Sequence, residues 1–255
     1  KTGDWTWVTT PTISFNRNIV TKLSDPSKGF NYDMTESGEV NDNGVMNVKT
    51  QVLKEGMPVG SFYGYKFEGF KSDGTWMYRT PIGGYVSSDN AVESYKQVIG
   101  NAQPWFTFGW NNTVRWKNLD VSVFFRGVVG NKILNVTRWA YGPQNSVSTN
   151  IFMKDAVGTD VKHVDKGHFT DTYLEDGSYI KLDNLTLGYN FKFKENKYIE
   201  NLRVYFTGQN LFTITKYSGQ DPEVNTTGVW DAGIDYPDFY PTVATFLLGV
   251  NISLF

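Results

Sequence analysis

A chain of 255 residues with a net charge of −2 offers no electrostatic basis for binding nucleic acid or an anionic membrane surface. It contains no run of 18 uncharged apolar residues, which excludes a transmembrane helix, and its lack of cysteine excludes disulfides, thiolate catalysis and zinc–thiolate sites. The unusual quantity is aromatic content: 18 Phe, 15 Tyr and 8 Trp make 16% of the chain, beside 25 Gly. The opening residues KTGDWTW lack the apolar segment of a signal peptide, so a leader has been removed or the natural start lies elsewhere.

In chain order, Trp5, Trp7, Ile13 and Phe15 alternate with Thr6, Thr10, Thr12 and Ser14, and this period of two predicts a strand from Trp5 to about Asn16. Pro11 marks it as an edge strand or a bulged one. A tight turn at Arg17-Asn18 leads to a second strand expected from Ile19, and a polar stretch from about Ser24 to Gly44 is too long for an ordinary connection. The third strand holds Met46, Val48 and Val52; after a turn at Glu55 to Pro58 the fourth carries Tyr63, Tyr65 and Phe67. A second long loop runs from about Lys71 to Gln103.

The fifth strand sets Phe106, Phe108, Trp110, Val114 and Trp116 against Thr107, Asn111, Thr113 and Arg115. A two-residue turn, Lys117-Asn118, joins it to a sixth, where Leu119, Val121, Val123 and Phe125 oppose Asp120, Ser122 and Arg126. The longest loop, about Gly130 to Gly177, precedes a hairpin with its turn at about Glu195 to Asn201. In its first half Ile180 and Leu182 lie on one phase and Leu185, Leu187, Tyr189, Phe191 and Phe193 on the other, which a bulge near Asp183 or Asn184 reconciles. Its second half alternates through Leu202, Val204, Phe206, Phe212 and Ile214. A fourth loop, Ser218 to Thr242, leads to a last strand with Phe246, Leu248, Val250, Ile252 and Leu254 on one face.

Strands that reach the roughly 9–11 residues a tilted strand needs to cross a bilayer, joined alternately by short turns and long loops, predict an all-β, antiparallel transmembrane barrel. Aromatic girdles at the two interfaces account for the composition. The count is nine strands, with Trp5 at the extracellular end of a descending strand if the last strand ends in the periplasm. Nine strands alone would leave two edges unpaired in lipid, so the chain reads as about the last nine strands of a larger barrel.

Five blocks carry a family resemblance: GMPVGSFYGYKFEGF from Gly56, IGNAQPWFTFGWNNTVRWKNLDVSVFFRGVVGN from Ile99, DGSYIKLDNLTLGYNF from Asp176, LRVYFTGQNLFTITKYSGQDPE from Leu202 and YPTVATFLLGVNISLF from Tyr240. In this order they resemble successive strands of the C-terminal part of SusC/RagA-like TonB-dependent transporters, outer-membrane proteins of Gram-negative Bacteroidetes. The resemblance makes residues 1–255 a C-terminal portion of the barrel domain, without the plug and earlier strands. It implies a 22-stranded barrel closed by an N-terminal plug and set in outer-membrane lipid. It further implies import of glycans or oligopeptides driven by the TonB complex, and a SusD-like surface lipoprotein over the mouth. Three departures stand out: SSDNAVESYKQVIG from Ser87 replaces the family's acidic stretch, Phe255 lies one residue beyond the outward phase of Leu254, and plug and TonB box are absent.

Trp76, Tyr85, Trp139, Tyr141, Trp230 and Tyr236 fall outside the predicted strands, where they either stack on sugar rings and peptide side chains or pack the loops together. Arg126 and Arg203, with Lys181, Tyr205 and Gln209, are placed inward, where they keep the lumen polar or contact substrate. His163, Asp165 and His168 read as a polar loop rather than a metal site, and Asp221, Glu223, Asp231, Asp235 and Asp238 as a solvated acidic loop without EF-hand spacing. No Gly-x-Ser-x-Gly elbow or other catalytic constellation occurs, so neither an enzyme nor a cofactor is expected. A passive porin or structural barrel subunit is the alternative, separated by whether a plug and TonB box lie upstream. A soluble sugar-binding module would be extractable without detergent.

Overall fold

The computed structural model of the chain describes residues 3–42, 46–141, 168–193, 198–224 and 228–254. Strand β1 (Trp5–Ser14) is followed by a long connection containing β2 (Met34–Asp42), β3 (Met46–Lys54), β4 (Ser61–Gly64), β5 (Lys66–Phe70), β6 (Trp76–Arg79), β7 (Tyr85–Ser87) and β8 (Gln97–Asn101). Then come β9 (Phe106–Trp116), β10 (Leu119–Val129), β11 (Lys132–Asn135), helix α1 (Val136–Tyr141) and β12 (Leu174–Asp176). The chain finishes with β13 (Tyr179–Lys192), β14 (Ile199–Thr215), β15 (Ile234–Asp235) and β16 (Thr245–Leu254).

Six long strands form one antiparallel sheet in the order β1-β9-β10-β13-β14-β16. Alternation along each strand becomes two chemically distinct faces once the register is set. Across the sheet Trp7 aligns with Val114, Val121, Leu187, Phe206 and Leu248, and Trp5 with Trp116, Leu119, Tyr189, Val204 and Val250. The opposite face aligns Thr113 with Ser122, Thr186 and Thr207, and Arg115 with Asp120, Gly188 and Tyr205. The apolar face is solvent-exposed in the isolated chain, with Leu248 at 75% and Trp7 at 65%, as befits a surface whose proper solvent is lipid. Trp5 stacks on Trp116 at the turn end and Phe15 meets Phe106 at the loop end, so aromatic side chains rim both ends of this face. Pro11 sits in β1, at one edge of the sheet, where a missing backbone N–H is tolerated. The sheet is an arc of a larger barrel.

The predicted bulge is present. Pairing of β10 and β14 with β13 skips Asp183, so Ile180 and Leu182 share the outward face with Leu185 and Leu187 despite their opposite phase. On β14 the compensating irregularity places Asn210 at φ +51°, a left-handed conformation Asn adopts more readily than most residues.

Among the described residues the barrel sheet contains six strands rather than nine, which corrects the expected count. No strand forms at Ile19 among residues 15–24; that segment is tied down through Val20, whose N–H and C=O bond to Met57 and Gly56 at 2.9 Å. The third predicted strand exists as β3 and the fourth is divided into β4 and β5, all in the loops: β3 and β4 in a sheet ordered β2-β3-β4-β8, β5 in another. Parity changes with the count: Trp5 pairs with Trp116 beside the 117–118 turn and Leu254 with Ile199 beside the other short turn, so both lie at the turn end. Trp5 is therefore not at the extracellular end.

At the other end the connections 15–105, 130–178 and 216–244 fold together. Besides β2-β3-β4-β8 they form the sheets β5-β6-β7 and β12-β11-β15, the last with β11 and β15 parallel. Their shared core draws Phe62, Tyr65, Trp76 and Tyr78 from the first connection, Leu134, Trp139 and Phe169 from the second, and Ala232 and Ile234 from the third. Gly64 permits the closest approach: a Cβ there would lie 2.5 Å from the Phe169 carbonyl oxygen, which accepts a hydrogen bond from the Tyr65 N–H at 2.8 Å.

Candidate functional site

The polar face of the sheet carries two charged groupings. Near the turn end, the Arg203 guanidinium donates from Nη2 and Nε to Asp120 at 2.6 and 3.1 Å, and Asn190 Nδ2 donates to the same carboxylate at 2.9 Å. Arg203 also lies over the Tyr205 ring, 4.8 Å from its centre. Gly249, opposite Tyr205 on β16, leaves room for that ring: a Cβ there would come within 2.3 Å of it.

The second grouping sits where the loop unit meets the strands. Arg126 of β10 and Lys181 of β13 are cross-strand partners, and Tyr179 lies two residues before Lys181 on the same face. Glu223, from the connection 216–244, inserts its carboxylate among them. It accepts from both terminal nitrogens of Arg126, from Lys181 and from the Tyr179 hydroxyl; the Arg126 Nη2 and Tyr179 contacts are 3.0 and 2.8 Å. The bulge residue Asp183 accepts from Arg126 Nε at 2.6 Å. Lys181, itself buried, donates to Thr242 Oγ1 at 2.9 Å and stands 3.7 Å from Asp221, which accepts from the Thr242 N–H at 3.0 Å. Burial by itself would raise the Glu223 carboxyl; the hydrogen bonds from Arg126, Lys181 and Tyr179 outweigh it and hold the group down at about 2. Nearby, burial pushes the Asp235 carboxyl up against the opposing effect of its hydrogen bond from Tyr217.

The eight residues singled out from sequence do not converge. Trp76 and Trp139 are buried, at 4% and 2% exposure; Trp76 packs on Phe67 and Phe70, and Trp139 stacks on Tyr173 and meets Phe169 at a tilt. Tyr141 packs partly against the same core, and Tyr236 is half-buried with its hydroxyl donating to the Glu39 carbonyl at 2.8 Å. Burial, with Asp231, Asp238 and Glu39 nearby, pushes the Tyr236 phenol up to about 12. Tyr85 and Trp230 alone of the six aromatics are largely exposed, at 65% and 61%. Arg126 and Arg203 both lie on the polar face, in separate groupings.

Tyr179, Asp183, Asp221, Glu223 and Thr242 complete the mouth grouping without having been singled out as a site. The solvated reading of the acidic loop is overturned for Asp221 and Asp235, both buried, and for Glu223, which is ion-paired. The available signal was the pairing requirement: inward cations on two adjacent strands need carboxylates, and the acidic loop supplies them. His168 packs on the rings of Tyr65 and Tyr78; His163 and Asp165 lie outside the described residues. Among the described residues, no group of three or more His, Asp and Glu side chains could hold a metal ion.

No protein-family model matches the chain. Among curated proteins it is 34% identical to TonB-dependent receptor P3 of Formosa agariphila, over 98% of the chain and 27% of the relative. It is 30% identical to TonB-dependent receptor SusC of Bacteroides thetaiotaomicron, over 99% of the chain and 25% of the relative. The chain thus spans about a quarter of the length of these relatives. Two solved structures of the RagAB peptide importer share its fold. The closed-closed state superimposes with a TM-score of 0.73 at 22% identity and the open-open state with 0.71 at 23%, each over 99% of this chain and 28% and 27% of theirs. In sequence the chain belongs with the SusC-like TonB-dependent receptors, and in fold it matches about a quarter of the RagAB structures.

Proposed function

We propose that the protein to which this portion belongs is a SusC-like importer: an outer-membrane, TonB-dependent transporter that actively takes up nutrients such as glycans or oligopeptides. The observation that carries this reading is the asymmetry of the sheet. One face is apolar across all six strands, the other is polar, and a folded loop unit stands at one end only. That is the build of a strand arc between lipid and an aqueous lumen, with short turns in the periplasm and long loops outside the cell. The curated relatives bear the name TonB-dependent receptor, and the solved neighbours are titled as a peptide importer. In this reading a SusD-like lipoprotein covers the loop unit, and the TonB complex acts from the periplasmic side through a plug. To the meeting with solute this reading assigns Tyr85 and Trp230, exposed on the loop unit, and Arg126 and Arg203 on the polar face. Trp76, Trp139, Tyr141 and Tyr236 hold the loops together, and no catalytic step is assigned.

The test is uptake by cells making the full-length protein, using fluorescent oligosaccharides and oligopeptides, with and without the segment that engages TonB. Loss of uptake of one solute class on deleting that segment is the expected result. Uptake that persists unchanged makes the barrel a passive pore and overturns the proposal.

A further inference from the structure

The Glu223 carboxylate is bound the way a receptor binds a ligand. Among the described residues, every donor to it comes from the sheet: the Arg126 fork from β10, and the Lys181 ammonium and Tyr179 hydroxyl from β13. The acceptor alone comes from a connection between strands. Each donor also has a partner other than the Glu223 carboxylate. Asp183 of β13 holds Arg126 through Nε and Tyr179 accepts from Nη1 at 3.1 Å, with both terminal nitrogens also donating to Glu223, while Thr242 and Asp221 of the same connection as Glu223 engage Lys181. Charge points the same way. Arg126 and Lys181 are balanced by Asp183 and Asp221; with Glu223 included, two cations face three carboxylates. Glu223 is therefore not required to neutralise the site. A forked guanidinium beside an ammonium and a phenol O–H suits a planar carboxylate, whose two oxygens can accept all four hydrogen bonds. Within this chain the Arg126 side chain keeps 32% of its surface exposed and Lys181 only 2%, so Arg126 is the donor an arriving carboxylate meets first and Lys181 is met once Glu223 leaves.

We propose that Arg126, Lys181 and Tyr179 form a carboxylate-binding site at the mouth of the lumen, and that Glu223 occupies it as an internal stand-in. A solute carrying a carboxylate, either a sugar acid or a peptide C-terminus, displaces Glu223. Displacement releases the Glu223 side chain, while Ser218 stays bonded to Glu175 and Asp221 to Thr242 and Lys181. That the displacing carboxylate belongs to a transported solute rests on the import reading; the site itself does not.

The experiment is equilibrium binding to the detergent-purified, full-length protein. The probes are a galacturonic acid trimer beside its methyl ester, and an N-acetylated tripeptide with a free carboxyl terminus beside its C-terminal amide. Glu223→Ala should bind at least one carboxylate probe about tenfold or more tighter than the natural protein does. The ester and amide should be unaffected, and Arg126→Ala added to Glu223→Ala should remove the gain. The arm that gains identifies the source of the carboxylate. The proposal is overturned if neither carboxylate gains, or if the neutral partners gain equally. Should the alanine variant not assemble, hydrogen exchange of residues 216–224 in the natural protein decides. Exchange at the Glu223 and Val224 amides must rise with the carboxylate probe and not with its neutral partner, and no rise there overturns the site. Binding in detergent needs no TonB, so a failed uptake experiment leaves this result standing, and the reverse.

Discussion

Glu223 illustrates at the scale of one residue how a loop side chain acquires a defined electrostatic role. Its ordinary value is 4.5 and its folded value about 2, so its ionised form is favoured by folding. For an acid depressed in this way, the stabilisation is complete above the ordinary value and is lost as pH falls through the folded one. The natural protein should therefore lose stability relative to Glu223→Gln between pH 4.5 and about 2, and show no pH-dependent difference from it between pH 6 and 8. Thermal unfolding of the two proteins across that range checks it. Taking the difference matters, because Asp235 is shifted upward and contributes with the opposite sign as it protonates. Arg126 was legible from sequence, since strand alternation assigns its side chain to the polar face. Glu223 was not, because a connection has no period from which to read a direction.

Among the elements, the strands were the most legible and the identity of their solvent the least. Period two in β3 and in β9 looks alike, yet β3 belongs to a loop sheet while β9 pairs on both sides within the barrel sheet. Alternation reports that one face is apolar and says nothing of what covers it. The bulge at Asp183 was legible because a phase reversal inside a continuous strand has few other geometric solutions. The two faces of β10 predict opposite tolerances. Val123→Arg, near mid-strand on the lipid face, should cost about 2–4 kcal/mol, whereas Ser122→Arg on the polar face should fall within about 0.5 kcal/mol. The proportion of heat-modifiable, folded barrel on electrophoresis measures the difference, and equal losses would mean the faces are misassigned.

The whole molecule has two hydrophobic environments. The barrel sheet turns its apolar face to lipid and keeps few of its apolar side chains fully buried. The loop unit has a protein core of its own, in which Trp139 is 2% exposed. Trp139→Ala should destabilise the loop unit by about 3–5 kcal/mol, the usual cost of emptying a buried aromatic site. The sheet's own hydrogen-bonded ladders should persist. The expected outcome is rapid proteolysis within the loop unit while the heat-modifiable band survives. Loss of that band would show that the loops and the barrel fold as one cooperative unit.

Composition and alternation by themselves determined that this chain is rich in long strands with one apolar face, and which face of its longest strands is polar. Those properties are local, because a side chain's face follows from its position along its own strand. Only the tertiary structure decided that six strands span, that Trp5 lies at the turn end, that Trp76 and Trp139 are core, and that an acidic connection reaches back to close on Arg126 and Lys181. Each of these depends on which segments meet across tens to hundreds of intervening residues. Pairing at that range is set by shared burial and charge balance, which no local period records.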